Sequence, residues 1–204
     1  MNYELVLIDD IKPLEMVFKY HLNNLKRMIE TDGKIRQPII IDSDYNIVLD
    51  GSHRYIYFLQ EGYKYIPVIK VNYKDPHIRV GSHLKHRFLD DGNIKITKEE
   101  VIERGLNGNL YPPRTTRHFF TFRKYSINLP LTDIEKSDKR DVSIYISDAS
   151  LEDEIRHNEK YISEIDEELE ELDNYISEQG NTRRYLIKQI MMMKNESFTD
   201  LSTV

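Results

Sequence analysis

One ten-residue stretch, residues 46–55, constrains the fold more than any other part of the chain. Its apolar run stops at Asp50-Gly51, and the residues that follow have the pattern of a helix. A strand that turns directly into a helix collects free backbone N–H groups at one point, where the helix dipole adds partial positive charge. The glycine lets the backbone approach a ligand closely, and His53 and Arg54 supply side-chain donors. The stretch suits a phosphate group, although an Asp-Gly turn with Ser52 as helix N-cap explains it equally well.

Asp50 is the acidic side chain of this stretch. A carboxylate fits an anion site only when a metal ion or a substrate cation lies beside it. If the stretch binds phosphate, Asp50 is therefore the candidate metal ligand.

The composition excludes several classes of protein. The 204 residues are enough for one core, or for a domain with an appendage. The chain has no cysteine, which removes disulfides, thiolate metal sites and cysteine nucleophiles together. It shows neither a secretion-type leader nor a run of about 18 apolar residues, so we expect a soluble, cytoplasmic protein without membrane contact.

The net charge of −6 is unevenly distributed. Residues 149–180 carry 12 acidic and 2 basic side chains, whereas residues 1–148 carry 21 acidic and 23 basic ones. DNA-binding proteins usually present a basic face, so we expect no DNA partner. We predict a domain at 1–148 and an acidic helical extension at 149–204.

The first 73 residues predict a compact α+β unit. Strands are expected at 3–8, 37–42, 47–49 and 65–73, and helices at 14–33 and 53–61, with further short elements at 78–83, 84–89, 97–104 and 119–122. The second and third strands should pair as a hairpin. Glu15 falls in the first turn of the longer helix, where interaction with the helix dipole would be enough to explain a glutamate.

The segment 110–118 is the second unusual stretch. Two prolines stiffen it, and the five residues that follow are donors with no acid among them: Arg114, Thr115, Thr116, Arg117 and His118. Two hydroxyls, two guanidinium groups and an imidazole would suit an anionic ligand. A polar loop in front of a strand is the alternative interpretation.

With both stretches placed, residues 11–122 resemble the ParB/sulfiredoxin fold and, within it, the free L-serine kinases. The shared elements occur in the family's order: Lys12-Pro-Leu-Glu15, Pro38-Ile-Ile-Ile-Asp42, Val48-Leu-Asp-Gly-Ser-His-Arg54, Ile66-Pro-Val68 and Tyr111-Pro-Pro-Arg-Thr-Thr-Arg-His118. The Asp-Gly-x-His-Arg element is shared across much of the superfamily, whereas Pro-Pro-Arg-Thr-Thr-Arg-His is much more particular to the kinases. The resemblance implies a mixed sheet with helices.

Two other members of the superfamily fit less well. A sulfiredoxin has a cysteine where Ser52 stands, and a chromosome-partitioning ParB has a helix-turn-helix module where this chain has its acidic segment. The chain also departs from the kinases, which commonly have histidine at the positions of Leu14 and Ser52. His83 stands where the kinases have an aromatic residue, so the substrate could differ from serine if His83 lines the amino-acid pocket.

The resemblance implies an enzyme that transfers a phosphoryl group from ATP or ADP to the hydroxyl of free L-serine, giving O-phospho-L-serine, with Mg²⁺ as cofactor. Glu15 would be the catalytic base, ionised at neutral pH if its pKa is the ordinary value of about 4.3. Asp50 would orient the magnesium ion and act in catalysis together with His53.

The binding residues implied by the resemblance form two groups. The nucleotide would be bound by Gly51, Ser52, His53 and Arg54. The amino acid and the transferring phosphoryl group would be bound by His83, Arg114, Thr115, Thr116, Arg117 and His118.

A seven-residue apolar repeat runs through the extension. Its first position is occupied by Ile155, Ile162, Leu169 and Ile176, and its second by Leu151, Ile165 and Leu172. A further apolar stretch, residues 186–193, follows Gly180. The pattern predicts a helical hairpin or a coiled coil, and we favour a homo-oligomer joined through these helices.

A non-catalytic or regulatory nucleotide-binding module that keeps a ParB-like pocket is the second functional hypothesis. Glu15 favours the enzyme, because nucleotide binding alone does not require that carboxylate. The acidic extension and His83 leave the regulatory hypothesis open.

Overall fold

The structure is a computed structural model that describes residues 3–82, 96–122, 126–148, 163, 167 and 170–188. The chain divides into two compact units, Met1–Glu159 and Lys160–Val204. The boundary predicted after residue 148 stays a prediction. Among the described residues, no helix combines the length and the apolar character needed to cross a membrane.

The first unit mixes strands and helices. The strands are β1 (Glu4–Leu7), β2 (Val17–Phe18), β3 (Lys34–Ile35), β4 (Ile39–Asp42), β5 (Val48–Asp50), β6 (Tyr65–Val71), β7 (Arg79–Ser82), β8 (Thr116–Phe119), β9 (Leu129–Pro130) and β10 (Ile146–Ser147). The α-helices are α1 (Lys19–Asp32), α2 (Ser52–Gln60) and α3 (Lys98–Asn107), and short 3₁₀ turns lie at Ile8–Asp10, Leu131–Asp133 and Ser143–Tyr145. The predicted α+β class is confirmed.

A four-stranded mixed sheet with the order β1-β6-β4-β5 organises this unit. β4 runs parallel to β6, and both outer strands run antiparallel to their neighbours. Three two-stranded pairs complete the arrangement, β2 with β10, β3 with β9, and β7 with β8. β8 lies beside β5, so the second unusual stretch of the sequence meets the first.

Apolar side chains cover both faces of the sheet. Alternate residues of a strand point to opposite faces, and in β4 the side chains of Ile39 and Ile41 join one buried cluster while that of Ile40 joins another. The first cluster includes α2 residues such as Ile56, and the second includes Val101 of α3. The sheet is therefore packed on both faces, with one buried cluster on each.

The prediction of a helix from Leu14 was wrong. The backbone at 14–18 is extended, because Tyr111 donates its N–H to the Leu14 carbonyl at 2.9 Å and accepts a hydrogen bond from the Met16 amide at 2.9 Å. α1 begins only at Lys19. Its predicted C-cap is confirmed, since Gly33 adopts a left-handed φ of 65°.

One further prediction is changed by the structure. Strand β8 begins at Thr116, so Thr116, Arg117 and His118 belong to a strand rather than to a loop before Phe119. The cap of α3 is as expected, with the Thr97 hydroxyl accepting from the Glu100 amide at 3.2 Å. The helix predicted at 84–89 lies outside the described residues.

In the second unit, residues 170–188 are helical. Several large apolar side chains are exposed along this helix, among them Leu172, Tyr175, Ile176, Tyr185, Leu186 and Ile187.

Candidate active site

The turn from β5 into α2 requires a glycine. Gly51 has a φ of 99°, in the left-handed region that residues with a Cβ avoid. A Cβ there would lie 2.6 Å from Nη2 of Arg54 and 2.8 Å from Cγ2 of Ile39. Gly51 itself holds the N-cap position and no side chain caps the helix, so the expected capping role of Ser52 was wrong.

An ion pair spans this turn. Nη2 of Arg54 donates to Oδ2 of Asp50 at 2.9 Å, and Nη1 donates to Oε1 of Gln37 at 2.8 Å. Nε of Arg54 is buried without a hydrogen-bond partner among the described residues. The two hydrogen bonds to Asp50 and Gln37 therefore hold the guanidinium in one orientation.

His53 packs against His21 of α1. Their ring centroids are 4.6 Å apart and the rings are inclined at 72°. Burial, together with the neighbouring His21, Arg114 and Arg54, lowers the pKa of His53 to about 3. His53 is consequently neutral at physiological pH and adds no positive charge to the site.

Glu15 lies on the extended segment, where its backbone is bridged to Tyr111. Its Oε1 accepts hydrogen bonds from the backbone N–H of Thr116 at 2.5 Å and from the Thr116 hydroxyl at 2.8 Å. The backbone amides of Arg114 and Thr115 also interact with this carboxylate. The helix-dipole explanation for Glu15 is therefore wrong, because Glu15 lies before α1 and its carboxylate is held by Thr116 of β8, 101 residues away in sequence.

Burial raises the pKa of Glu15 to about 7, although the hydrogen bonds from Thr116 and the neighbouring amides act in the opposite direction. The ordinary pKa expected from sequence was therefore wrong. A carboxylate with a pKa near neutrality can both accept and release a proton under physiological conditions.

The remaining donors of the second stretch are dispersed. Arg114 has a φ of 56°, the Thr115 hydroxyl donates to the Pro112 carbonyl at 2.8 Å, and the Arg117 guanidinium lies 5.3 Å from the centre of the Phe119 ring. The five donors therefore do not converge on one point.

His118 packs into the core side of β8. Its Nε2 lies 2.9 Å from the Tyr73 hydroxyl, and its ring stacks on Phe120. Burial lowers the pKa of His118 to about 4.

One cavity of about 260 Å³ brings most of the predicted residues together. It is lined by Glu15, His21, Leu25, Leu49, Asp50, Gly51, Ser52, His53, Arg54, Arg114 and Thr116. Thr115, Arg117 and His118 are not among the lining residues, and His83 lies outside the described residues. Sequence reasoning missed His21 and Leu25, although their four-residue spacing places them on one face of α1.

A larger cavity of about 480 Å³ lies between β7 and α3. Its lining is mainly apolar and includes Ile78, Val80, Ile96 and Phe119. The smaller cavity is the better candidate for chemistry, because a carboxylate with a raised pKa and an ion pair converge there.

No protein-family model matches the chain. The chain is 30% identical over 106 residues to the ATP-dependent L-serine kinase of Staphylothermus marinus, a match that covers 50% of this chain and 41% of that protein. It is 31% identical over 81 residues to a ParB-like protein of Sulfolobus acidocaldarius, covering 39% of this chain and 40% of that protein. The chain thus spans about two-fifths of the length of these curated relatives.

A solved structure of a mutant free serine kinase in complex with ADP superposes on the chain with a TM-score of 0.57. The identity is 15%, and the match covers 66% of this chain and 95% of the kinase. The chain has the fold of the free serine kinases. In this chain, β5, α2 and the Glu15 segment lie around the cavity described above.

Proposed function

We propose that this protein is a nucleotide-dependent kinase that phosphorylates the hydroxyl of free L-serine to give O-phospho-L-serine. One observation supports this proposal above the others: Glu15 and the Asp50–Arg54 turn line the same cavity. A base and an anion-binding turn are the parts that phosphoryl transfer requires, since catalysis rests on positioning, charge neutralisation and removal of one proton. The similarity to an ATP-dependent L-serine kinase favours serine and ATP as the substrates.

In the proposed reaction, the ionised Glu15 carboxylate accepts the proton of the serine hydroxyl. The serine oxygen forms a bond to the terminal phosphorus of the nucleotide, and the bond from that phosphorus to the bridging oxygen breaks. The nucleotide leaves with the electron pair of that bond. Arg54 and Arg114 offset the negative charge that develops on the phosphoryl oxygens.

The nucleotide phosphates are proposed to lie against Gly51, Ser52, His53 and Arg54. The glycine lets the Arg54 guanidinium pack closely against the turn, and the uncapped first turn of α2 presents backbone N–H groups. His53 takes part as a neutral ring, because burial keeps it unprotonated.

The cavity fits a magnesium ion that arrives with the nucleotide. Within the described residues, no group of three or more acidic, histidine or cysteine side chains is placed to hold a metal ion. Mg²⁺ in nucleotide sites usually takes one or two carboxylates and completes its shell with phosphates and water. Asp50 supplies one such carboxylate, and the bound ion would neutralise phosphate charge.

For the amino acid, we propose that Arg114 binds the carboxylate at the cavity wall. Thr115, Arg117, His118 and His83 remain candidate contacts. The test is an assay of the purified full-length protein with Mg²⁺, ATP or ADP, and each of the twenty amino acids in turn. Phosphorylation of serine above all others supports the proposal, whereas tight nucleotide binding without phosphorylation of any amino acid supports the regulatory module.

The raised pKa of Glu15 predicts the acid side of the pH profile. Because the base must be ionised, kcat/KM should fall about tenfold per pH unit below a midpoint near pH 7. An ordinary carboxylate would place this midpoint near 4.5. Nucleotide affinity measured by calorimetry across the same range serves as the control, because a midpoint that appears equally in binding would belong to another group.

We also propose that the protein self-associates through its C-terminal helix. Replacing Leu172 and Ile176 together by aspartate in the full-length chain should lower the mass measured by light scattering, because both apolar side chains are exposed in the single chain. Turnover per chain should stay within about a few-fold, since the proposed catalytic residues all lie in the first unit. The matched control replaces Asn174 and Ser177 by aspartate, which adds the same charge at polar positions. An unchanged mass in the apolar variant would contradict the proposal.

A further inference from the structure

The hydrogen bonds around Glu15 assign a role to Thr116 that differs from the one suggested by sequence. Both the backbone N–H and the hydroxyl of Thr116 donate to the same carboxylate oxygen, at 2.5 and 2.8 Å. Thr116 is itself buried, with 8% of its surface exposed. These two bonds are therefore partly shielded from water, and hydrogen bonds to a charged group are stronger in such surroundings than in bulk water.

The loop that precedes β8 is shaped around this carboxylate. Arg114 adopts a left-handed conformation, and the Thr115 hydroxyl closes the turn onto the Pro112 carbonyl at 2.8 Å. Successive backbone N–H groups that include a left-handed residue form a concave site for an anion. Here the anion is the Glu15 carboxylate, which interacts with the amides of Arg114, Thr115 and Thr116.

The chemistry of a hydroxyl limits what else Thr116 can do. A threonine side chain has one hydrogen to donate. That hydrogen is directed at Glu15, so the same hydroxyl cannot donate to the carboxylate of an amino acid. A substrate carboxylate needs hydrogen-bond donors, and the hydroxyl and backbone N–H of Thr116 already donate to Glu15.

We propose that Thr116 is a positioning residue that fixes the orientation of the Glu15 carboxylate, rather than a contact of the amino-acid substrate. This inference rests on the proposed function, in which Glu15 is the base. Burial alone would leave the side chain protonated at neutral pH, and the Thr116 donors favour its ionised form. Thr116 thereby keeps the base both aimed at the cavity and available for a proton.

The first test uses Thr116→Val, which keeps the shape of the side chain and removes the hydroxyl. With a charge-assisted hydrogen bond lost, we expect kcat to fall about tenfold and the acid midpoint of kcat/KM to move above pH 7. The KM for serine should stay within about twofold. Thr116→Ser should restore both kcat and the midpoint, and Thr132→Val, an exposed threonine on the same unit, should leave both unchanged. A large rise in KM with kcat and midpoint unchanged would overturn the inference.

The second test needs no catalysis. The titration of the Glu15 carboxyl carbon can be followed by NMR in the full-length protein, with its signal identified by its absence from Glu15→Gln. Its midpoint should rise in Thr116→Val and return in Thr116→Ser. Other titratable or charged groups line the same cavity or interact with Glu15, and their own charge states should be the same in all variants. They are His21, Asp50, His53, Arg54, Tyr111 and Arg114.

The two tests separate the inference from the proposed function. If no amino acid is phosphorylated but the NMR midpoint moves, the proposed kinase activity fails and the Glu15–Thr116 contact stands. An unchanged midpoint in Thr116→Val means that the hydroxyl does not stabilise the ionised carboxylate, and the inference fails whatever the activity.

Discussion

Replacing Glu15 by glutamine is expected to lower turnover by about 100-fold or more, since a general base contributes on that scale. Glutamine keeps the shape of the side chain, and its carbonyl oxygen can accept the same hydrogen bonds from Thr116 that the carboxylate accepts at 2.5 and 2.8 Å. What it loses is the ability to take a proton from the substrate hydroxyl. Nucleotide affinity measured by calorimetry should therefore remain close to that of the wild type.

The same substitution makes a separate prediction for stability. The folded pKa of Glu15, about 7, lies above its ordinary value of 4.5, so the folded state binds more protons than the unfolded state between these two pH values. Stability contributed by this group is therefore present at low pH and is lost as the pH rises through 7. Glu15→Gln removes the cost of burying the charge and should be at least as stable as the wild type above pH 7.

This combination distinguishes lost chemistry from a lost fold. Slow turnover together with an unchanged or higher Tm at pH 8 identifies Glu15 as the base. Glu103→Gln is the matched control, because Glu103 is an exposed glutamate of α3 and its loss should change neither quantity. Turnover like that of the wild type in Glu15→Gln would remove Glu15 from the mechanism.

The turn from β5 into α2 could be predicted from sequence because its signals are local. The β4–β5 hairpin, the glycine after Asp50 and the start of α2 follow one another directly in the chain. Strand alternation, a turn residue and helical spacing each depend on residues within a few positions. The structure differs from the prediction in the N-cap residue of α2, which is Gly51 rather than Ser52.

The surroundings of Glu15 could not be predicted in this way, because they come from distant parts of the chain. The spacing of apolar residues after Leu14 fits a helix, yet Tyr111 and β10 supply backbone partners that keep this segment extended. Such long-range pairing overrides a local pattern. The raised pKa of Glu15 has the same origin, because its burial depends on the loop before β8.

The donor-rich second stretch shows why residue type alone does not assign a role. All five side chains from Arg114 to His118 can donate, but the alternation along β8 and the turn before it direct them to different partners. Thr116 and His118 lie on one face of β8, where the Thr116 hydroxyl donates to Glu15 and the His118 ring contacts Tyr73. Arg117 lies on the other face, against the Phe119 ring. The folded structure is needed to tell which of these residues line the cavity, as Arg114 and Thr116 do, and which have partners elsewhere.

Replacing Arg54 by alanine is expected to weaken nucleotide affinity by about 30-fold or more while changing the apparent affinity for serine much less. The guanidinium lies at the first turn of α2, is aligned by Asp50 and Gln37, and has a buried Nε without a partner among the described residues. Its removal takes away a hydrogen-bond donor to the proposed nucleotide phosphate. It also leaves Asp50 without the cation 2.9 Å away that offsets its charge, so the cavity becomes less favourable for an anion.

Two further variants make this prediction specific to the site. Arg36→Ala removes an exposed arginine that pairs with Asp32, and it should leave nucleotide affinity unchanged. Arg54→Lys keeps the charge but not the planar donor pair, so it should recover only part of the affinity. Calorimetry with ADP and with AMP measures all three proteins, and the loss in Arg54→Ala should be larger for ADP if the guanidinium contacts the phosphate chain beyond the first phosphate. If Arg54→Ala leaves nucleotide affinity unchanged and weakens the affinity for serine, the proposed positions of the two substrates are exchanged, and serine binds beside Arg54.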